Sequence, residues 1–210
     1  RLEGEHVENA DLSPAEFDRA AAAAFAPVVR CLAADPADGE VPGVAVFVCN
    51  KAVRDAVASP GAFSQVYLTF SPDHMVYCRD EALFLEDADA DALERGVAAF
   101  AAAHGGKPRV VGVRGLGIYA CGSTKKEADT VAAVFLDAVK VSVAARAFGG
   151  GKPMPESLIK SILGWEVERY RRSVSFTGAQ QKRLNGRVAV VTGSAQGFGQ
   201  GLAAGMAEAG

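Results

Sequence analysis

"PRVVGVRGLGIYACGSTKKEAD", residues 108–129, holds two short apolar runs around Gly115 and Gly117, followed at once by a helix start. The runs read as two short strands. Thr124 and Glu127 stand at capping-box spacing, so a helix is predicted from there to about Phe148. Strand, turn, strand and helix within some forty residues make this the core of an α/β unit.

Working outward, "DADALERGVAAFAAAHGG" before it reads as an Ala-rich helix ending at Gly105. Further upstream, "FSQVYLTFSPDHMVYCRDEALFLED" reads as strand, turn and extended segment. Val66, Leu68 and Phe70 alternate there and meet a Ser71-Pro72-Asp73 turn signal. "VAVFVCN", entered through Gly43, reads as a strand buried on both faces, and "KAVRDAVAS" as a short helix ending at Pro60. The opening helix lies in "SPAEFDRAAAAAFAPVVRCLA", with Ser13 as N-cap, Pro14 at the first helical position and Glu16 completing a capping box. Strands alternating with helices predict an α/β fold with a mostly parallel sheet over residues 1–150. "GGGKPMP" then reads as a flexible break, and residues 151–185 as a helical linker carrying "ESLIKSILGWEVERYRR" and the polar link "FTGAQQKRLN".

The 210 residues are 50% hydrophobic and 22% charged, with a net charge of −3. That is an ordinary globular composition, and no Lys/Arg patch exists to track a nucleic-acid backbone. The longest apolar stretch, 131–148, is broken by Asp137, Lys140 and Arg146, so no membrane span is expected. Cys31, Cys49, Cys78 and Cys121 are widely spaced and read as reduced core thiols. The chain starts at Arg1 rather than Met, and both of its ends read as cut from a longer product.

The last 25 residues, "GRVAVVTGSAQGFGQGLAAGMAEAG", form a separate unit. Residues 188–191 are a β-branched run of parallel-strand type, "TGSAQGFG" supplies Gly193, Gly197 and Gly199, and a helix follows. Glycine suits a sharp turn that brings backbone close to a pyrophosphate, and the helix N-terminus offers amides and partial positive charge to the phosphates. A structural Gly-rich corner is the alternative. The Gly-x-x-x-Gly-x-Gly spacing after Thr192 resembles the short-chain dehydrogenase/reductase family. The resemblance implies the first βα unit of a Rossmann-type fold over residues 186–210. It also implies that Gly193, Ser194, Gln196, Gly197, Phe198 and Gly199 line NAD or NADP. The family's downstream Ser and Tyr-x-x-x-Lys have no counterpart: Tyr67, Tyr77, Tyr119 and Tyr170 are followed four residues on by Ser71, Glu81, Ser123 and Val174. No catalytic residue is assigned.

"SPDHMVY" and "PRVVGVRGLGIYACGSTKKEAD", taken with this ending, resemble the bifunctional class II aldolase-like/short-chain dehydrogenases of the rhamnulose-1-phosphate aldolase/alcohol dehydrogenase type. The resemblance runs from about Gly43 to the C-terminus. It implies a degenerate aldolase-like half domain joined to an NAD(P)-dependent oxidoreductase of a small sugar, polyol or aldehyde, working as a cytoplasmic homo-oligomer. The segment by itself is then expected to be inactive. In register from Gly122 and Thr124, Leu116 stands where the aldolase zinc histidine falls, and His6, His74 and His104 make no His-x-His pair, so no zinc site is expected. His74 reads either as a turn residue bonded to backbone or as a functional imidazole. Arg109 and Arg114 read as phosphate ligands or as salt-bridge partners. Lys125 and Lys126, at a helix start, call for an anion or a nearby acid. Asp87, Asp89, Asp91 and Glu94 read as a solvated helix start. The reading from another class is a non-catalytic binding or assembly module, which predicts an exposed apolar edge.

Overall fold

A computed structural model describes residues 6–34, 43–67, 69–164, 182–184 and 187–210. Its centre is a four-stranded sheet in the order β1-β4-β3-β2, built from β1 (Val44–Val48), β2 (Leu83–Leu85), β3 (Val110–Val113) and β4 (Gly117–Gly122). The fold is α/β, but the sheet is mixed rather than mostly parallel. β2 and β3 pair in parallel, whereas β3–β4 and β1–β4 are antiparallel. The cause is chain length. Only Arg114, Gly115 and Leu116 join β3 to β4, and a parallel return needs a crossover of a dozen residues or more. Gly115 turns that corner at φ +63°, a conformation open to glycine without steric cost. The parallel pair has its crossover in α4 (Ala90–His104).

Every residue of β3 and β4 is buried, as their unbroken apolar runs require. One face of the sheet packs Val110, Ile118 and Ala120 against Ala52, Val53, Phe63, Val131, Phe135 and Val139. These come from α2 (Lys51–Ala56), α3 (Pro60–Ser64) and α5 (Lys125–Ala145). The other face packs Val111, Val113, Tyr119 and Cys121 against Phe25 and Val29 of α1 (Arg19–Leu32) and Leu93 and Val97 of α4. Tyr119 sits within a cluster of rings, 5.0 Å from Phe47 and 5.9 Å from Phe25, and its hydroxyl donates to the Ala22 carbonyl at 2.9 Å. Burial pushes that phenol up to about 12.

Several expectations are corrected. β1 is half-buried along its length because, among the described residues, it stands at the sheet edge and pairs with β4 alone. α1 starts at Arg19, with Asp18 accepting from the Ala21 amide at 2.9 Å, because Ser13 instead donates from both backbone and hydroxyl to Asp11. Those two bonds, with Lys51 at 3.1 Å, hold the Asp11 carboxyl down at about 2. Pro60 does not simply end a helix; it opens α3 behind the Ser59 cap. No strand forms around Val66, whose amide bonds back to the Phe63 carbonyl at 3.0 Å and continues the α3 turn; Leu68 lies outside the described residues. The next segment is a π-helical turn, His74–Cys78. Cys31 is exposed rather than in the core, whereas Cys78 and Cys121 are buried.

α4 ends as read at Gly105, in the left-handed conformation at φ +69°, while Asp89, read as part of a solvated helix start, is its N-cap and accepts from the Ala92 amide. α5 runs on through a 3-10 turn to Phe148. Residues 149–155 are irregular and tied to the body by Met154 N donating to the Thr69 carbonyl at 3.0 Å. α6 (Glu156–Gly164) follows, and the rest of that expected helix lies outside the described residues. The closing unit contains α7 (Gly197–Glu208). Residues 188–191 enter no sheet among the described residues: a strand is defined by its ladder, and these residues have none. No helix among the described residues is long and apolar enough to cross a membrane.

Candidate functional site

The glycine turn of the closing unit is compact, and its glycines serve different ends. Gly193 and Gly197 adopt φ +64° and +62°, the left-handed region where a side chain is strained. Gly199, in the first turn of α7, meets the Gly193 carbonyl oxygen so closely that a Cβ there collides with backbone. The loop therefore folds back onto the helix start, and only glycine at 199 permits it. Gln196 is the N-cap residue in extended conformation, yet its side chain makes no capping bond, and no acid stands in the first turn. The first amides of a helix have no intrahelical carbonyl to bond and carry partial positive charge. This one presents them beside Ser194, Gln196 and Phe198, all exposed.

The far end of α7 is anchored. Leu184 N donates to the Ala209 carbonyl at 2.8 Å and Lys182 Nζ to the Glu208 carbonyl at 2.9 Å, placing a cation where the helix dipole favours it. Between anchor and turn lies an open groove of about 820 Å³, lined among others by Leu184, Phe198, Leu202 and Met206. Val188, Val190 and Phe198 are 65%, 91% and 90% exposed. The recurrence of Phe198, Leu202 and Met206 every four residues puts them on one helix face. Sequence reasoning missed this face, although that spacing was its signal.

The other candidates fall into structural roles. Arg109 is committed to Glu127, which is nearly fully buried, at 2.5 Å. The second oxygen of Glu127 accepts from the Ser123 amide at 2.7 Å and the Ser123 hydroxyl at 2.5 Å. Thr124 caps the Glu127 amide at 3.2 Å, so half of the expected capping box forms and the reciprocal bond goes to Ser123. The N-terminus of α5 thus carries its own carboxylate, in the place an external phosphate needs. Arg114 pairs with Glu86 at 2.9 Å, and Asp129 is the acid beside Lys125 at 2.5 Å. Asp89 caps α4 and Asp91 lies in its first turn, while Asp87 and Glu94 are solvated.

Leu116 is buried in the apolar cluster with Tyr119 and Phe25, so that position serves packing. His6 is exposed; His104 lies 3.6 Å from both Asp80 and Glu81 with its ring against Phe100. His74 is buried, its Nδ1 3.2 Å from Ser71 Oγ and its ring bonded to the Val134 backbone. Its partners match the turn-residue reading. Among the described residues no group of three or more His, Cys, Asp or Glu is placed to hold a metal ion. Comparisons with family models, curated proteins and solved structures give no match.

Proposed function

We propose that residues 186–210 are the opening βα unit of an NAD(P)-dependent short-chain oxidoreductase of the Rossmann type. In this reading residues 1–150 are a degenerate aldolase-like region. Gly193, Ser194, Gln196, Gly197, Phe198 and Gly199 then face the adenosine and pyrophosphate of the dinucleotide. The observation that carries the reading is the glycine turn folded onto a helix N-terminus without a side-chain cap. Such a terminus is suited to a diphosphate. The dinucleotide supplies hydride chemistry; the residues of this chain bind and orient its phosphates. The expected substrate class is a small sugar, polyol or aldehyde, and the working form is a cytoplasmic homo-oligomer. Leu116, apolar and packed in the core, leaves the aldolase-like region without a zinc ligand at that position.

The test is NADH fluorescence with the intact chain and with Gly199→Val. Weak binding in the millimolar range is expected, because one βα unit supplies half of a dinucleotide pocket. The valine variant, whose Cβ meets the Gly193 carbonyl, is expected to lose it. Equal signals from both proteins overturn the reading.

The reading as an assembly module is favoured by the apolar exposure of Val188, Val190, Phe198, Leu202 and Met206. Light scattering across a concentration series tests it. Self-association abolished by Val190→Thr, with no NADH signal, supports that reading over the first.

A further inference from the structure

We propose that His74 is the pin of a proton-sensitive latch: neutral, it holds the turn of residues 71–80 against α5, and protonated, it lets that turn and the attached start of α6 open. The segment is locally weak. It is a π-helical turn, and it closes on Arg79 at φ +69°, ψ −178°, a strained region essentially reserved for glycine. π turns and such strained residues concentrate at sites that move or work. What holds the turn down is the His74 ring. It is 8% exposed, bonded to the Val134 backbone of α5 on one side, 3.2 Å from Ser71 Oγ on another, and edge-on to Phe70 at 5.9 Å. Met154 N bonds to the Thr69 carbonyl, and α6 packs on the π turn, so the two move together.

The surroundings favour the neutral ring. The cavity beside it has about 10 Å³ of free space, room for about one water and too little to hydrate an imidazolium. Burial, the largest influence, holds His74 below the usual histidine range, outweighing Asp137 of α5, Asp73 of the turn itself and the bond to the Val134 backbone, all of which draw the proton toward the ring. Asp137 is moreover bonded to Lys140 at 2.8 Å. Tyr67, Cys78, Arg79 and Glu81 line the same cavity, and Glu156 stands in the first turn of α6. When the turn opens, the ring regains a value near 6.5. Acid then multiplies the open population by up to about tenfold between pH 7.5 and 5.5.

Hydrogen exchange of the intact chain, corrected for intrinsic rates, reads this directly. Peptides covering 69–80 and 154–159 are expected to gain up to about tenfold in opening at pH 5.5, and α4 to gain nothing. In His74→Gln the acid response disappears. Acid opening that persists in the variant, or is absent from the native chain, overturns the latch. A ring titration by NMR on the native protein is independent of any variant's folding: the His74 ring is to stay neutral through the pH range around 6.5 in which an ordinary imidazole takes up its proton, and a His74 ring that protonates there refutes the proposal. Neither outcome bears on the nucleotide reading of residues 186–210.

Discussion

Gly112 lies in the middle of β3, where glycine weakens a strand by about 0.5–1 kcal/mol relative to alanine, so Gly112→Ala is stabilising on backbone grounds alone. The structure reverses that sign. A Cβ at 112 stands 2.7 Å from two ring carbons of Phe63, roughly 1 Å inside the contact distance of about 3.5–4.0 Å. Phe63 has no exposed surface to retreat into and is flanked by the rings of Phe84 at 5.2 Å, Tyr67 at 5.5 Å and Phe135 at 6.1 Å. Overpacking of this kind costs about 1–3 kcal/mol. Phe63→Leu by itself costs on the order of 1–2 kcal/mol through lost packing. Because leucine vacates the ring's far edge, Gly112→Ala is expected to be close to neutral in that background, a coupling of at least about 1 kcal/mol. Urea denaturation of the four proteins of the cycle, followed by circular dichroism, measures it. Additivity within about 0.5 kcal/mol, or a stabilising Gly112→Ala in the native background, refutes the seating of Phe63 on a glycine.

Glu127→Ala removes the carboxylate that joins Arg109 to the start of α5 and strands a guanidinium that is only 17% exposed. A loss of about 3–5 kcal/mol is expected, and the double variant Arg109→Met/Glu127→Leu, measured by the same denaturation, is expected to recover most of it. Tyr119→Phe deletes the bond to the Ala22 carbonyl at a cost of about 1 kcal/mol. Burial holds the native Tyr119 phenol up at about 12, so an ultraviolet titration is expected to show a late tyrosinate component that is smaller in the variant. Burial of His74 lowers its folded-state value, so its contribution to stability is complete above the unfolded value of about 6.5 and is lost as pH falls below it. Thermal melts at pH 7.5 and 5.5 are expected to differ less in His74→Gln than in the native chain.

Local signals that name a single physical requirement were readable from sequence. Gly105 ends α4, and Gly115 turns the corner between β3 and β4, because each has one conformation to satisfy. Strand direction was harder. The runs at 110–113 and 117–122 are buried throughout, a state that a parallel sheet and the centre of a mixed one share. The information lay in the three-residue link, too short for anything but an antiparallel return. The alternation of Val66, Leu68 and Phe70 reads as a strand, yet Val66 continues the α3 turn, a tertiary choice that alternation alone does not encode. At the start of α1, Ser13 and Asp18 are both good caps, and a bond to Asp11 removes Ser13 from the contest. In the closing unit the glycine positions could be read, since φ and close approach leave no substitute at 193, 197 and 199. The apolar face of Phe198, Leu202 and Met206 was written in their spacing but masked by the interest of the glycines.

The central claim is that the turn at Gly193, Gly197 and Gly199 receives a diphosphate. A residue-resolved amide titration of the intact chain with NADH, and with inorganic pyrophosphate as the minimal anion, tests it most directly. Both ligands are expected to shift the amides of residues 193–199 together, saturating in the millimolar range, with the Phe198 ring responding to NADH alone. Shifts that bypass this turn, or that gather instead at the Arg109–Glu127 end of α5, contradict it.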